Sequence, residues 1–336
     1  MKISDIEKYD LGRIYKVYDK WPQIAKNSFC SLEESVDFEN INHIVFAGMG
    51  GSGAIGDLFS SILSSSEIHV NVVKGYVLPK ATNSKSLVIV ISVSGNSNET
   101  LSILKSAKDL GSDIIAFYSG GIMKEYCEKN KIKHRFVKSY HSPRATFPSY
   151  VYCILKTLQK ILKIKNIEIQ ESIKELEIMY KKINSSNFSD QNPALELANW
   201  ISGTPIIYYP IGLHAAAIRF KNSLQENAKI HVISEDIIEA CHNGIVAWEK
   251  ERKFLPILLI GEDDHIKTRE RWVILKKYFK QNKIKYKEIK SINGNILSKL
   301  ITLVYFFDYV SIYKAINDKI DPSPVKSIDY IKSELS

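Results

Sequence analysis

The sequence predicts an α/β protein made of two tandem doubly wound parallel-sheet domains, with a helical N-terminal lead-in and a C-terminal helix. Two observations predict it. Short β-branched, apolar runs alternate with helical patterns, which argues parallel strands covered by crossover helices. The second half of the chain then repeats the plan of the first at an interval of roughly 160 residues, as a degenerate internal repeat. The 336 residues suit one large or two ordinary domains. A hydrophobic share of 45% and a charged share of 25% are those of a soluble globular chain whose core needs no staples.

Residues 1–40 read as the lead-in, with Trp21-Pro22-Gln23-Ile24 starting a helix. The first domain, 41–163, carries strands at 43–47, 68–73, 87–93, 113–118 and 132–137. Helices fall between them at about 52–63, 97–110 and 121–129, and one beginning near Phe147 closes the unit. In 164–195, Ile167, Ile169, Ile173, Leu176 and Met179 at helical spacing make a connecting helix, ended by Asn184-Ser185-Ser186-Asn187. The second domain, 196–336, opens with the strand Pro205-Ile206-Ile207-Tyr208-Tyr209-Pro210. Ile211-Gly212-Leu213-His214-Ala215-Ala216-Ala217 then holds the place of Met49-Gly50-Gly51-Ser52-Gly53-Ala54-Ile55, and 254–260 the place of 87–93. A strand near 284–290, a long helix through about 317 and a short helix complete the chain. Only the first copy keeps the glycines and serines, so it alone is expected to hold an anion, the second donating other groups to a shared cleft.

The net charge is +9, from 46 basic and 37 acidic side chains. Such a balance raises nucleic acid as a partner. The lysines are scattered, however, and no basic block carries interleaved aromatics, so no nucleic acid is expected; anionic small molecules suit a basic protein equally. Cys30, Cys127, Cys153 and Cys241 form no C-x-x-C pair, which reads as buried thiols in a reducing cytoplasm. The first ten residues have no apolar signal core, and no apolar run approaches a membrane span, so no membrane is expected either.

The chemistry gathers in loops. The run Ile44-Val45-Phe46-Ala47 meets Gly48-Met49-Gly50-Gly51-Ser52-Gly53, and a helical pattern follows through Leu63. Strand, glycine turn and helix make an anion site, because glycines let the backbone close on a ligand and the first helical N–H groups then point at it. A tight structural turn is the plain alternative. A second loop, 92–100, places Ser92, Ser94, Gly95, Asn96, Ser97 and Thr100 between strand and helix. Its hydroxyls can donate to a phosphate. Serine also caps helices, but Ser92, Ser94 and Ser97 together exceed what a cap requires. Both loops leave carboxyl ends of strands, where ligands bind in such sheets. Gly48, Gly50 and Gly53 also satisfy the dinucleotide pattern G-x-G-x-x-G. That reading needs an acidic residue about 20 positions on. Val72-Val73-Lys74-Gly75 offers none there, and the serine loop would have no use.

Four further segments carry candidates. Arg144, in Ser142-Pro143-Arg144-Ala145, sits in a proline-bounded turn before a helix, where a guanidinium can hold oxygens in a fixed fork or simply be solvated. Glu226, in Leu224-Gln225-Glu226-Asn227-Ala228-Lys229, ends a helix whose apolar face is Ala216, Ile218, Phe220 and Leu224; most glutamates so placed are solvated. His242, in Cys241-His242-Asn243-Gly244, is read as beginning a helix and could be structural. Lys332 follows Asp321-Pro322-Ser323-Pro324-Val325 on a helix that Ile328 and Ile331 are expected to anchor, and by itself reads as a surface residue.

Taken together these segments resemble the sugar isomerase (SIS) superfamily, and within it the archaeal-type bifunctional phosphoglucose/phosphomannose isomerases. The resemblance runs from about residue 40 to the C-terminus. The glycine turn at 48–53 and S-x-S-G-N at 92–96 are widely shared among SIS domains. The P-R-A turn at 143–145, L-x-E-N-A-K at 224–229, His242-Asn243 and the D-P-x-P-V tail are narrower. The resemblance implies SIS-type, flavodoxin-like sheets. It implies that Gly51, Ser52, Ser92, Ser94 and Ser97 hold the phosphate, and that Glu226 moves a proton between C2 and C1. Arg144 would stabilise the enediolate, and His242 and Lys332 would assist ring opening. It also implies a homodimer in which the histidine crosses the interface. Ser97 replaces a more usual threonine, Ser142 a common proline, and Gly244 a common acidic residue.

These residue types suit aldose–ketose isomerisation. A carboxylate can take a proton from a carbon beside a carbonyl, a fixed cation lowers the energy of the developing oxyanion, and ring opening needs an acid and a base. The chemistry needs no metal or other cofactor, and no His/Asp/Glu cluster has ligand spacing. The expectation is therefore reversible conversion of glucose 6-phosphate, with mannose 6-phosphate, to fructose 6-phosphate. Two alternatives stand beside it: a sugar-phosphate-sensing SIS module without turnover, and an SIS isomerase acting on a pentose phosphate or amino sugar.

Overall fold

Strand β1 (His43–Ala47) is buried along its whole length, as a strand covered on both faces must be. It belongs to a computed structural model that describes residues 1–31, 34–250 and 253–335. Beside it run β2 (His69–Val73), β3 (Ser86–Ser92), β4 (Asp113–Tyr118) and β5 (Lys133–Phe136). All pair in parallel, in the order β2-β1-β3-β4-β5. Val45, Val88, Val90 and Ala116 meet Leu101 and Leu104 of the helix Asn98–Asp109, and Met123 and Cys127 of the helix Ile122–Lys129. The helix Gly51–Leu63 contributes Phe59, stacked on Phe46 with ring centroids 5.2 Å apart. Each fully buried side chain of this size is worth about 1.5–3 kcal/mol, so the sheet core is a stiff platform for the loops above it.

The second sheet holds β6 (Thr204–Tyr209), β7 (Ile233–Asp236), β8 (Phe254–Ile260) and β9 (Lys287–Lys290), parallel and in the order β7-β6-β8-β9. This is the first sheet's order with no counterpart of β5 among the described residues, so the internal repeat is one of topology. Its core joins Ile206, Tyr208 and Leu258 to Trp248, Trp272, Leu275 and Phe279, and Trp248 Nε1 donates to the Tyr208 hydroxyl at 2.8 Å.

The chain divides into two compact units, one of Lys20–Lys174 with Asn295–Ser298, the other of Met1–Asp19, Glu175–Gly294 and Lys299–Ser336. In the first, the helix Trp21–Phe29 lies on the helix Phe147–Thr157: Trp21 stacks on Phe147 and its Nε1 donates to the Ala145 carbonyl at 2.9 Å. In the second, Met1–Asp19 meets the long helix Ile296–Asn317, where the Tyr305 hydroxyl donates to the Tyr18 carbonyl at 2.8 Å. The stretch expected as a single lead-in thus supplies both units.

Several expectations are corrected. Strand β7 has no apolar alternation (Ile-Ser-Glu-Asp) and gives no strand signal; its pairing with β6 makes it one. The helix Pro193–Trp200 is additional to the expected connecting helix, which runs Asn166–Ile183. One helix among the described residues, Ile296–Asn317, is long and apolar enough by composition to cross a membrane, but Lys299, Asp308 and Lys314 interrupt its apolar run and 94% of its apolar window is buried inside the protein, as in a core helix. Of the four thiols only Cys127 and Cys153 are buried; Cys241 is half-buried and Cys30 exposed.

Candidate active site

In the first sheet the chain runs from β1 to β2 on one side and returns to β3 on the other. The turn after β1 and the loop after β3 therefore flank one crevice, the topological switch point where ligands bind in doubly wound sheets. The turn begins the helix Gly51–Leu63 from Gly50, at φ +52°, with no side chain capping the helix end. Ser52, in the first turn, is buried. Gly51 is required by a close approach: a Cβ there would stand 3.2 Å from the Pro143 carbonyl carbon and 3.3 Å from the Arg144 nitrogen. The Arg144 loop thus touches the glycine turn. Arg144 is only 4% exposed, which dismisses the solvated-arginine alternative. Thr146 shapes this loop, its Oγ1 lying 2.8 Å and 2.9 Å from the Tyr140 and Ser142 carbonyls.

The serine loop is folded by its own hydroxyls. Buried Ser92 accepts from the Gly95 N–H at 3.1 Å, and exposed Ser94 accepts from the Asn96 N–H at 3.3 Å. Ser97 holds the N-cap position of the helix Asn98–Asp109, yet its side chain makes no capping bond; its Oγ lies 3.5 Å from that of Ser92. The capping explanation for Ser97 therefore fails. Gly51, Ser52, Ser92, Ser94, Ser97 and Arg144 all belong to the first unit.

Glu226, His242 and Lys332 belong to the second unit. Glu226 is half-buried in a five-residue π-turn, Leu224–Ala228, that continues the helix His214–Ser223. Such turns are rare and often occur at functional sites. Lys229 closes it in the left-handed region at φ 59°. His242 begins no helix: it lies exposed in the turn between the short helix Ile237–Ala240 and the 3₁₀ helix Gly244–Glu249. Glu235 sits beneath that turn, its Oε2 2.5 Å from where a Cβ on residue 244 would stand, so Gly244 leaves room for a carboxylate supplied by β7. Burial pushes the Glu235 carboxyl above the usual range.

The structure does not bring Glu226 and His242 of one chain together. The segment 214–228 joins two parallel strands, so it runs antiparallel to them and ends toward their amino edges. His242 follows β7 at the carboxyl edge. Strands of four and six residues at about 3.3 Å rise put roughly 13–20 Å between the two edges. Lys332 lies on the helix Lys326–Glu334, none of whose residues is buried. Ile328 and Ile331 are 42% and 56% exposed and do not anchor it. The tail before it is tied down: the Ser323 N–H donates to Asp321 at 2.9 Å, and the Ser323 hydroxyl to buried Asp10 at 3.4 Å.

Sequence reasoning missed Arg219. It takes the place on the helix face expected for half-buried Ile218, and forms with Asp308 a buried bidentate pair, at 3.1 Å and 2.6 Å. Truncating one partner of such a pair costs about 3–5 kcal/mol. The missed signal was Asp308 itself, a lone carboxylate within Leu303-Val304-Tyr305-Phe306-Phe307-Asp308-Tyr309-Val310. Among the described residues no group of three or more His, Cys, Asp and Glu side chains is placed to hold a metal ion.

Two parallel sheets of this order, the first with a glycine turn and a serine loop at its switch point, define an SIS protein. Residues 37–127 match the SIS domain family, and residues 190–335 match the family described as the bacterial phospho-glucose isomerase C-terminal SIS domain. The chain is 34% identical over 337 residues to a bifunctional phosphoglucose/phosphomannose isomerase of Caldicellulosiruptor bescii, covering 96% of each chain. It is 31% identical to the protein of that name from Aquifex aeolicus, covering 97% of this chain and 99% of the relative. A hypothetical protein of Thermus thermophilus shares the fold, with TM-score 0.75 at 10% identity over 99% of this chain and 93% of that one. The chain belongs to the bifunctional phosphoglucose/phosphomannose isomerase family.

Proposed function

We propose that this protein reversibly isomerises glucose 6-phosphate and mannose 6-phosphate to fructose 6-phosphate through an enediol intermediate. The observation that carries this reading is end-to-end likeness to two relatives named for both activities, covering 96% and 97% of the chain. In the reaction, Gly51, Ser52, Ser92, Ser94 and Ser97 hold the phosphate with backbone and hydroxyl donors that add no charge. Glu226 takes the proton from C2 and returns it to C1, or the reverse. Negative charge then builds on oxygen, and Arg144 stabilises it from a fixed loop. His242 and Lys332 act on the ring oxygen and the C1 hydroxyl during ring opening. Glu226 and His242 end at opposite edges of one sheet, which supports a site that takes its histidine from a second chain. The working form is then a homodimer, placed by its reaction in cytoplasmic hexose metabolism.

The test is a coupled assay of the purified protein with each aldose phosphate, detecting fructose 6-phosphate in the presence of EDTA, with Glu226→Gln run alongside. Turnover of both sugars, falling about a thousandfold or more in the variant, is expected for a removed base. Turnover of glucose 6-phosphate alone would narrow the specificity. Absence of turnover with sugar phosphate still bound by calorimetry would overturn the isomerase reading.

A further inference from the structure

The helix bearing Glu226 carries a buried cation. Arg219 is 3% exposed and its partner Asp308 wholly buried. One turn beyond Arg219, the Ser223 hydroxyl donates to the same Asp308 carboxylate. One turn further, Asn227 Nδ2 donates to Ser311 Oγ at 2.8 Å, and that hydroxyl donates to the Asp308 carbonyl at 2.6 Å. All these residues lie in one compact unit. The bonds at 219, 223 and 227 form a single stripe four residues apart, and the last falls on the residue directly after Glu226.

What this stripe grips is the π-turn Leu224–Ala228. Such a turn is rare and persists where its surroundings impose it. Stability of the fold does not explain the choice of a charged grip. Apolar side chains of similar volume usually join two helices as well as a buried ion pair does, or better. Glu226 also acts electrostatically on the pair. Burial opposes the charge on the Arg219 guanidinium, and Asp308, with a smaller contribution from Glu226, holds it firmly protonated.

We propose that Arg219 and Asp308 are positioning residues for Glu226, which clamp its π-turn through the stripe of bonds at 219, 223 and 227. The proposal rests on Glu226 being the base of the isomerisation.

The experiment compares the wild type with Arg219→Met/Asp308→Leu, Ser311→Ala, Arg219→Gln, Asp308→Asn and Glu226→Gln. Each is read by thermal melting and by kcat and KM separately. The apolar double variant melts cooperatively, as replacement of buried pairs allows. Its kcat is expected to fall at least about tenfold with KM within about threefold, since a small misplacement of a reacting group is costly while phosphate binding is untouched. Ser311→Ala lowers kcat in the same direction, by about threefold. Arg219→Gln and Asp308→Asn each leave one buried charge unpaired and are expected to melt below the apolar double variant.

Wild-type kcat in both the apolar double variant and Ser311→Ala overturns the proposal, whether or not the single variants fold. The two readings separate cleanly. Wild-type turnover in Glu226→Gln removes the base assignment and this inference with it. An inactive Glu226→Gln beside a fully active double variant removes only the inference.

Discussion

Gly95 shows how much one atom decides in the serine loop. It adopts φ +67°, and a Cβ placed there would stand 1.7 Å from the Gly120 carbonyl oxygen, which is backbone and cannot step aside. Gly95→Ala is therefore expected to cost about 2–4 kcal/mol and to displace Ser92 and Ser94, whose hydroxyls bond the Gly95 and Asn96 N–H groups. Chemical denaturation and phosphate titration of the variant check both effects; an unchanged midpoint with unchanged affinity would contradict the geometry. Cysteine chemistry is also decided residue by residue. Burial, with a smaller effect of Glu128, pushes the Cys127 thiol up to about 11. An unfolded thiol ionises near pH 8.5–9, so the unfolded state loses its proton first. The stability Cys127 contributes is present below that range and is lost as pH rises toward 11. In thiol titration of the native protein at pH 8, exposed Cys30 should react quickly and Cys127 only on unfolding.

Among the elements, the helix Lys326–Glu334 stands apart. It follows a tail secured through Ser323 and Asp10, yet none of its residues is buried, and Ile328, Tyr330, Ile331 and Leu335 are exposed. Its apolar side chains therefore contribute little to the fold of the single chain. Truncation after Val325 should leave the melting temperature within about 2 °C of wild type, because little apolar area is lost. If Lys332 acts in ring opening, the same truncation slows turnover of the cyclic sugar phosphate by about tenfold or more. A large fall in melting temperature would show that the helix is buried in the assembled protein. The π-turn Leu224–Ala228 is the contrasting element. It was invisible in the sequence because no composition marks it, and it exists because Asn227, Ser223 and Arg219 are held from the neighbouring long helix.

At the scale of the whole molecule, two sheets of one strand order serve different purposes. The first ends in glycines and hydroxyls at its switch point, the second in Pro210, His214 and the acidic loop 261–265. One phosphate per chain is thus the expected stoichiometry in calorimetry with inorganic phosphate, with Ser92→Ala/Ser94→Ala weakening it about tenfold or more. Two equal sites per chain would show that the second copy binds as well. Strand and helix periods, the glycine turn, the serine loop and the family motifs are local or repetitive signals, and the sequence alone carried them. It therefore determined the two-sheet α/β class, nearly every strand and the candidate residues. The tertiary structure alone decided which polar groups leave water and which neighbours they meet, because burial depends on contacts between residues far apart in the chain. That is why Arg219 with Asp308, the strand Ile233–Asp236, the burial of Arg144 and the exposure of Ile328 and Ile331 emerged only from the fold. It is also why the separation of Glu226 from His242 could be seen only there: the direction of a crossover helix is fixed by the two parallel strands it joins.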